Sequence, residues 1–504
     1  MTKASQRETT DQGIGSPGFV EKHGLHSEEQ RAAAGRVAGE IREKGLRTVR
    51  VVLVDQHGVP RSKFLSPEAA IAAMSNGADF SGAIYSLDTA NSVFPPAFAA
   101  GGGFGIDEFT DFPDVVIVPD PETFRVLPWA DRTGWVICDV YFSNGQPVPL
   151  DGRAILREQL RRLEKAGYAY TAGLEVEFYI VRLVDDRIAL DQTGMPPERP
   201  TVDVFEQGYQ FMSESRLDGV EETITALRDG LFDIGLPPRS MEDEWGPGQM
   251  EFTFSPLRGL AAADAMIMFR TATKAICRRR GLLATFMCHP GLPNFFPSGW
   301  HLHEALVDAE SGNNLFASDT EVLSTVGRHF VAGLLDHAKP MTLFTTPTIN
   351  GYGRFRPYSF APDRIGWAVE NRGAMVRVQG DAGDKGTHVE NRLGEPSANP
   401  YLYMAANVAA GLDGITRGAE PPPPVSADPY AAEAELLPTS MSEAIAVLEN
   451  DTLFRREFGE GFVDYYLMMK RAENARYQAA VAENPTPEGQ AVSDWEMREY
   501  FEVY

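Results

Sequence analysis

Four separated segments of the chain alternate apolar and polar side chains with the two-residue period of a β-strand. In the first, residues 173–180, four apolar side chains share one face, and Glu175 and Glu177 project together from the other. Taken alone, this pattern favours a strand whose acidic face meets solvent. The alternative is that the two carboxylates line a site.

The next two segments repeat the arrangement with other side chains that can bind metals. Over residues 249–254 the apolar side chains share one face and Glu251 lies opposite, while Glu244 precedes a Gly-Pro-Gly bend that can fold it back toward Glu251. An ordinary turn and an amphipathic strand explain these acids equally well. His301 and His303 are two residues apart and share a strand face. A lone histidine is more often structural; a pair on one strand strengthens the metal-site alternative, and both interpretations stay open.

The fourth segment, residues 388–392, alternates again and contributes Glu390. Upstream of it lies a run of arginines that is unusual in an acidic chain, with members Arg354, Arg356, Arg364, Arg372 and Arg377. Exposed arginines commonly pair with carboxylates and then contribute little stability. The alternative is an anion-binding site.

Together the four segments indicate phosphoryl chemistry. Five carboxylates with one or two imidazoles suit hard divalent ions such as Mg²⁺ or Mn²⁺ rather than a thiolate zinc site. Carboxylates crowded on one face repel each other, so two divalent ions would offset most of their charge. Arginines match phosphoryl oxygens, and metals with arginines around phosphate are what phosphoryl transfer needs. The sequence has no P-loop or protein-kinase signature.

The chain divides into three predicted parts. Residues 1–26 are polar and are predicted to be flexible. An N-terminal domain over residues 27–145 begins with a capping box at Ser27 and a helix, followed by a strand over residues 47–55. Residues 146–504 are predicted to form the second domain, in which Asp151 caps an amphipathic helix that Gly167 closes.

Composition limits the partners. The 504 residues carry 46 basic and 71 acidic side chains, a net charge of −25, which argues against nucleic acid and anionic membrane surfaces as partners. No apolar run reaches the roughly 18 residues of a membrane span, and the N-terminus has no apolar signal region. Cys138, Cys277 and Cys288 lack a metal-type spacing and are predicted to be core thiols in a reducing cytoplasm.

The motifs that carry these side chains resemble the glutamine synthetase family from about residue 47 to residue 504. The matching stretches, in the order and spacing of that family, are GLEVEF, EWGPGQMEF, SGWHLHEAL, NGYGRFRP, APDRIGWAVENRGAMVRV and HVENRLGEPSANPYLYMAA. The resemblance implies an α+β fold, with an N-terminal β-grasp domain and a catalytic domain built on a curved antiparallel sheet and surrounding helices. It also implies a homo-oligomer of stacked hexameric rings, usually a dodecamer, with each site shared between neighbouring subunits.

The resemblance further implies roles for the candidate residues. One metal would be held by Glu177, Glu244 and Glu251, and the other by Glu175, His301 and Glu390, with two or three Mg²⁺ or Mn²⁺ ions per site. ATP would be bound by His303, Arg372, Arg377 and Lys385. Glutamate would be held by Arg354, Arg372 and Arg392, of which Arg372 and Arg392 are also the candidate catalytic residues. In the implied reaction ATP phosphorylates the glutamate side chain, and an amine then displaces phosphate to give a γ-glutamyl amide.

Three departures from the family pattern cluster on the amine side. Ser81 stands where the family has an aspartate for ammonium, Phe360 where a flap has a glutamate, and Phe296-Pro297 where Asn-Gly precedes the S-G-x-H motif. Losing both acids weakens the binding and deprotonation of a cation, and phenylalanines suit an apolar amine. Since an arylamine is largely neutral near pH 7, we predict that Ser81, Phe296 and Phe360 line a pocket for an aromatic or bulky alkyl amine.

Several rival functions stay open on the sequence alone. Within the same class they are an ammonium-using glutamine synthetase and a γ-glutamylpolyamine or γ-glutamylethanolamide synthetase. A catalytically silent ring-forming homologue would have broken metal ligands, whereas all six matched positions hold Glu or His. A guanidino kinase, which has a related sheet, is disfavoured by the N-terminal domain and the GPGQ motif.

Overall fold

The N-terminal part of the chain builds a six-stranded sheet with helices against it. The computed structural model describes residues 17–185 and 187–504. The helices of this part are α1 (Phe19–His23), α2 (Glu28–Glu43) and α3 (Pro67–Asn76). The strands are β1 (Thr48–Val54), β2 (Pro60–Leu65), β3 (Ala78–Ser81), β4 (Asp114–Pro119), β5 (Arg125–Val126) and β6 (Thr133–Tyr141). Their order is β2-β1-β6-β4-β3, with β5 on β6 and with β1 parallel to β6.

Residues 19–23, predicted as part of a flexible lead, instead form α1. Val20 is buried against Val118 and Tyr141 of the sheet, and Gly24 ends the helix in the left-handed conformation at φ 63°. A single apolar anchor in a polar segment gives too weak a signal to predict this contact. The rest of the predicted lead, residues 1–16, lies outside the described residues.

Two predicted helix starts are confirmed by their hydrogen bonds. The Ser27 hydroxyl accepts from the Gln30 amide at 3.2 Å, and the Gln30 side chain accepts from the Ser27 amide at 3.1 Å. Asp151 accepts from the amides of Arg153 at 3.3 Å and Ala154 at 3.1 Å. These caps satisfy amide groups that a helix start leaves without partners.

The second part of the chain is built on a ten-stranded, mainly antiparallel sheet. Its strands are β7 (Tyr168–Leu183), β8 (Val202–Val204), β9 (Pro238–Asp243), β10 (Gln249–Phe254), β11 (Leu257–Arg258), β12 (Leu282–Thr285), β13 (Trp300–Asp308), β14 (Trp367–Val369), β15 (Val376–Gln379) and β16 (His388–Asn391). The main order is β14-β15-β16-β13-β7-β10-β9, with β8, β11 and β12 also paired to β7. The predicted α+β architecture is confirmed.

The second part of the chain also contains α-helices, some of which pack against the large sheet. They are α4 (Gly152–Lys165), α5 (Glu214–Gly219), α6 (Glu221–Asp233), α7 (Leu260–Arg278), α8 (Thr325–Asp336), α9 (Ala338–Thr345), α10 (Pro400–Arg417), α11 (Met441–Glu449), α12 (Thr452–Phe458), α13 (Glu460–Glu483) and α14 (Asp494–Tyr500). Phe178 of β7 and Phe252 of β10 pack on Phe269 of α7, with ring centroids 5.5 and 5.7 Å apart. Because side chains alternate along a strand, the polar residues that alternate with Phe178 on β7 and with Phe252 on β10 project from the opposite face.

A buried arginine joins the two parts of the chain. Arg153, at the start of α4, forms ion pairs with Asp120 at 2.7 Å and Asp264 at 2.8 Å, and also contacts Asp139 of β6. Charges buried in this way are retained only when they are paired. The division of the chain between residues 145 and 146 stays a prediction.

Two further sequence predictions concern the cysteines and membrane spans. All three cysteines are buried and free. Across residues 17–185 and 187–504, no helix combines the length and the apolar character needed to cross a bilayer.

Asp151 gives a pH-dependent prediction. Burial and the nearby Asp139 carboxylate raise the pKa of Asp151 to about 7, against about 4 in an unfolded chain. The protonated folded form therefore contributes stability that is complete below about pH 4 and is lost as the pH rises to about 7. Asp151→Asn keeps an acceptor for the cap but cannot ionise. We expect its advantage in free energy of unfolding over the wild type to grow by about 1–2 kcal/mol between about pH 5.5 and about pH 8.5.

Urea unfolding at the two pH values measures this difference. Asp131→Asn, at an exposed position in the loop before β6, is the matched control and should give no pH-dependent difference. An equal effect of Asp151→Asn at both pH values would contradict the raised pKa.

Candidate active site

Strand register brings the four predicted segments into one row across the large sheet. The directly opposed pairs, in order across β10, β7, β13, β16 and β15, are Glu251–Glu177, Glu175–His301, His303–Glu390 and Glu390–Arg377. Opposed side chains on one face have Cβ atoms about 5 Å apart. The side chains of Glu175 and Glu177 are only 16% and 15% exposed, so the interpretation of β7 as a strand with a solvated acidic face is wrong.

Glu175 forms the centre of a group with both histidines. Its Oε1 lies 2.8 Å from His301 Nδ1, and its Oε2 lies 3.0 Å from His303 Nε2. Burial opposes ionisation of Glu175, but these hydrogen bonds outweigh burial and lower its pKa. Burial and the charge of Arg392 lower the pKa of His301, which favours the neutral imidazole that a metal ion requires.

Glu251 and Glu244 are crowded by other carboxylates. Burial and the charges of Glu175 and Glu177 raise the pKa of Glu251. Burial and the charge of Glu177 raise the pKa of Glu244 to about 8. Among the described residues, no cationic side chain forms an ion pair with Glu251. Since like charges directly opposed across a sheet are destabilising, a divalent cation is the partner that this donor set fits.

Two sets of side chains have ligand atoms within 4.8 Å of one another. One set is Glu175, Glu251 and His301, and the other is Glu175, His303 and Glu390. Glu175 thus belongs to both sets, and His303, predicted to bind ATP, lies among the donors. The predicted ligands are all in or beside this cluster, but their division between two ions stays a prediction. Carboxylate and imidazole donors suit Mg²⁺ or Mn²⁺.

Two arginines flank Glu390 on the same sheet. Arg377 Nη1 donates to Glu390 Oε2 at 3.1 Å, and Arg392 Nη1 pairs with Glu390 Oε1. Burial opposes ionisation of Glu390, but Arg392 and His301 outweigh burial and lower its pKa. The Nε atoms of both arginines are buried and have no hydrogen-bond partner among the described residues. Unused donors on paired guanidinium groups fit an anionic group such as phosphate.

Arg354 lies on the other side of His301. Its Nη2 donates to the Arg392 carbonyl at 2.9 Å and lies 3.4 Å from His301 Nε2, and its Nη1 donates to the Leu393 carbonyl at 3.3 Å. These bonds to the backbone fix the orientation of the guanidinium. Arg372 differs, because it is exposed in the loop between β14 and β15, and among the described residues no hydrogen bond or ion pair connects its side chain to the cluster.

A cavity of about 600 Å³ opens beside the row of acids. Glu175 and His303 line it on the metal side, and Lys385 lines it although its side chain is exposed. His388 also lines it, and its Nε2 lies 3.0 Å from His303 Nδ1. His388 is not among the site residues predicted from the sequence, although its two-residue spacing from Glu390 places both on one strand face.

The three predicted amine-pocket residues are differently placed. Ser81 is exposed at the end of β3, opposite Asp114 of β4, and belongs to the N-terminal sheet. Phe360 is 64% exposed, and its carbonyl accepts from Arg392 Nη2 at 3.1 Å. Phe296 is exposed, and its backbone is held by the Tyr179 hydroxyl of β7. Two of the three residues therefore adjoin the cluster within this chain.

Donors for divalent metal, buried arginines and an adjoining cavity on one sheet face are the features of a metal-dependent enzyme of phosphoryl chemistry. A family model described as the glutamine synthetase catalytic domain matches residues 149–488. The chain belongs to the glutamine synthetase family.

Individual proteins of this family match nearly the whole chain. The chain is 45% identical to γ-glutamylanilide synthase of Acinetobacter sp, over 96% of this chain and 99% of the relative. It is 33% identical to γ-glutamylethanolamide synthetase of Streptomyces coelicolor, over 77% of this chain and 79% of the relative. A solved structure of GmaS without ligand superposes with a TM-score of 0.74 at 30% identity, covering 92% of this chain and 98% of that chain. The predicted family and its fold are confirmed.

The crowding around Glu251 leads to a prediction about metal binding. Because the folded protein disfavours the ionised form of Glu251, Glu251→Gln removes a carboxyl group whose ionisation is opposed by burial and by Glu175 and Glu177. We expect the metal-free variant to melt no lower than the metal-free wild type at about pH 8. We also expect the rise in Tm that Mn²⁺ gives the wild type to fall by about half or more, since a ligand stabilises the state it binds.

Thermal melting with EDTA and with Mn²⁺ tests both statements. Glu222→Gln, at an exposed position on α6, is the control and should retain the full rise. An unchanged rise in the Glu251 variant would remove Glu251 from the metal site.

Proposed function

We propose that this chain is an ATP-dependent ligase that joins the γ-carboxylate of L-glutamate to an aromatic or bulky alkyl amine. The proposal is carried by the 45% identity, over 96% of the chain, to γ-glutamylanilide synthase. The exposed Phe360, whose carbonyl binds Arg392 at 3.1 Å beside the acid cluster, supports an apolar amine.

We propose that ATP occupies the cavity beside His303 and Lys385, with its terminal phosphate toward Arg377 and Arg392. The acid row fits two or three Mg²⁺ or Mn²⁺ ions, which when bound supply positive charge opposite the phosphate oxygens. Both arginines contact Glu390, which is directly opposed to His303 of the cavity wall, and this supports the placement. Arg372, on its exposed loop, is proposed to reach the nucleotide and glutamate from outside the row.

In the first step, an oxygen of the glutamate γ-carboxylate attacks the γ-phosphorus of ATP, and ADP leaves. Arg354 is proposed to hold the α-carboxylate, since its buried guanidinium is fixed by two backbone carbonyls. Arg392 and Arg372 are proposed to stabilise the charge on the transferred phosphoryl group. The product is γ-glutamyl phosphate.

In the second step, the amine nitrogen attacks the acyl carbon and the carbon–oxygen bond to phosphate breaks, and the leaving phosphate takes up the proton that the nitrogen loses as the amide forms. A neutral arylamine already has its lone pair free. It therefore needs no carboxylate to take a proton from it before it attacks. Phe296 and Phe360 are proposed to exclude water from the acyl phosphate as well as to contact the amine.

Ser81 lies on the N-terminal sheet, and we propose that it lines the amine pocket of a neighbouring subunit. This requires the homo-oligomer of stacked hexameric rings, a dodecamer, that the family resemblance implies. The free buried thiols support a cytoplasmic location. The charge of −25 supports small-molecule substrates rather than nucleic acid or membrane partners.

The proposed preference can be measured with an amine panel. With ATP, Mg²⁺ and glutamate, we expect kcat/KM for aniline to exceed that for ammonium by about tenfold or more, which is ~1.4 kcal/mol of transition-state preference. Phosphate release and detection of γ-glutamylanilide by mass spectrometry are the readouts, with a reaction lacking glutamate as the control. Ammonium outperforming every organic amine would instead identify a glutamine synthetase.

Phe360→Glu tests the origin of that preference. The added carboxylate attracts a cation, so we expect the ratio of kcat/KM for ammonium to that for aniline to rise by about tenfold. Phe360→Leu removes the ring without adding charge and should lower aniline use without improving ammonium use. Phe360 has φ 59°, and the left-handed backbone disfavours phenylalanine, glutamate and leucine alike, so strain does not separate the variants. Equal ratios in both variants would place Phe360 outside the amine pocket.

A further inference from the structure

Two aromatic rings stand beside the metal cluster and have no role in the reaction described above. Trp245 directly follows Glu244 and is 52% exposed. Its ring stacks on that of Phe211, with centroids 5.2 Å apart and planes at 14°, and Phe211 is 44% exposed. Large apolar side chains that form a shared exposed surface mark a site that meets a ligand or a partner.

Backbone hydrogen bonds hold this pair against the strand end that carries Glu244. The Trp245 amide donates to Glu244 Oε2 at 3.2 Å. The Trp245 carbonyl accepts from the Tyr209 amide at 3.3 Å, and the Asp243 carbonyl accepts from the Met212 amide at 3.0 Å. The loop that carries Phe211 is therefore attached on both sides of that residue to the segment that ends in the acid cluster.

The same loop adopts a conformation that ordinary residues avoid. Tyr209 and Met212 have φ 80° and φ 55°, in the left-handed region that favours glycine. A Cβ atom on Gly208 would lie 2.7 Å from the Gly246 carbonyl carbon, so the loop approaches as closely as a glycine permits. Strained backbone that neighbouring contacts hold in place is concentrated at functional sites.

A second contact connects Trp245 to the predicted amine pocket. A Cβ atom on Gly246 would lie 2.1 Å from the Tyr179 hydroxyl. That hydroxyl donates to the Phe296 carbonyl at 3.0 Å and accepts from the Phe296 amide at 2.8 Å. Trp245 and Phe296 are thus on neighbouring backbone segments that share Tyr179, next to Glu177 and Glu244.

We propose that Trp245 and Phe211 form an aromatic platform that binds the ring of the amine substrate and determines the preference for aryl over alkyl amines. This inference rests on the proposed function and names the residues that set its amine class. The electron-rich face of an indole attracts an arene in an offset stack or edge-on. A branched alkyl group of similar size gains burial there but no ring contact, so the platform separates the two classes.

The test is the ratio of kcat/KM for aniline to that for isopropylamine, compared among variants. Trp245→Leu keeps an apolar side chain and removes the ring, and we expect the ratio to fall by about tenfold or more. Trp245→Phe keeps a ring and should restore most of the ratio. Phe211→Leu should lower it less, since the indole remains. A general loss of activity would lower both rates and leave the ratio unchanged.

Phe232→Leu is the matched control, because Phe232 is an exposed phenylalanine on α6 with no place in the proposed site. It should keep the wild-type ratio within about twofold. The KM for glutamate and the assembly mass by light scattering are measured for every variant.

The two proposals fail in different ways. A wild type that makes no γ-glutamylanilide refutes the proposed ligase function. A wild type that makes it, with a ratio unchanged in both Trp245→Leu and Phe211→Leu, overturns the platform and leaves the ligase intact. A changed assembly mass with an unchanged ratio also overturns the platform, because it assigns the two rings to a contact between subunits.

Discussion

Repulsion among carboxylates placed in register across β10 and β7 is the constraint on which the site depends. Glu251 and Glu177 are directly opposed, and Glu175 is one step along the same face. A one-residue slip of β7 would exchange Glu175 and Glu177 with the apolar side chains that alternate with them, among them Phe178, which packs on Phe269 of α7. Packing of the apolar face on the helices therefore fixes the acids in positions where they repel one another unless cations are bound.

The carboxylates of the row differ in how far neighbouring side chains compensate their charge. Two imidazoles contact Glu175, and two arginines contact Glu390. The pKa of each of these two carboxyl groups is lowered despite burial. Glu251 and Glu244 have mainly acidic neighbours, and their pKa values are raised. One side of the row is thus compensated by the protein, and the other depends on what it binds.

The sequence was informative wherever a signal is local. Two-residue alternation identified β7, β10, β13 and β16, and capping residues located the starts of α2 and α4, because each depends on neighbours a few positions away. Family motifs added the functional order of these segments. The opposition of Glu175 and His301, which are far apart in the chain, is a property of strand register and became visible only in the fold.

Other features of the site had no comparable sequence signal. The stack of Phe211 on Trp245 depends on the path of a strained loop rather than on a period. Glu175 belongs to both possible metal sets because the two sets together draw on four strands, β10, β7, β13 and β16, and no single motif contains this information. Arg372 belongs to a motif yet lies exposed on a loop, since a motif fixes the identity of a residue and not its distance from the others.

The fit of Gly246 against the Tyr179 hydroxyl limits how this enzyme can diversify. Any side chain at position 246 would displace Tyr179 and release the backbone of Phe296. We therefore expect changes of amine preference to arise at the exposed rings, and glycine at position 246 to be retained when they change. A change of amine specificity in the proposed pocket therefore depends on keeping glycine at position 246.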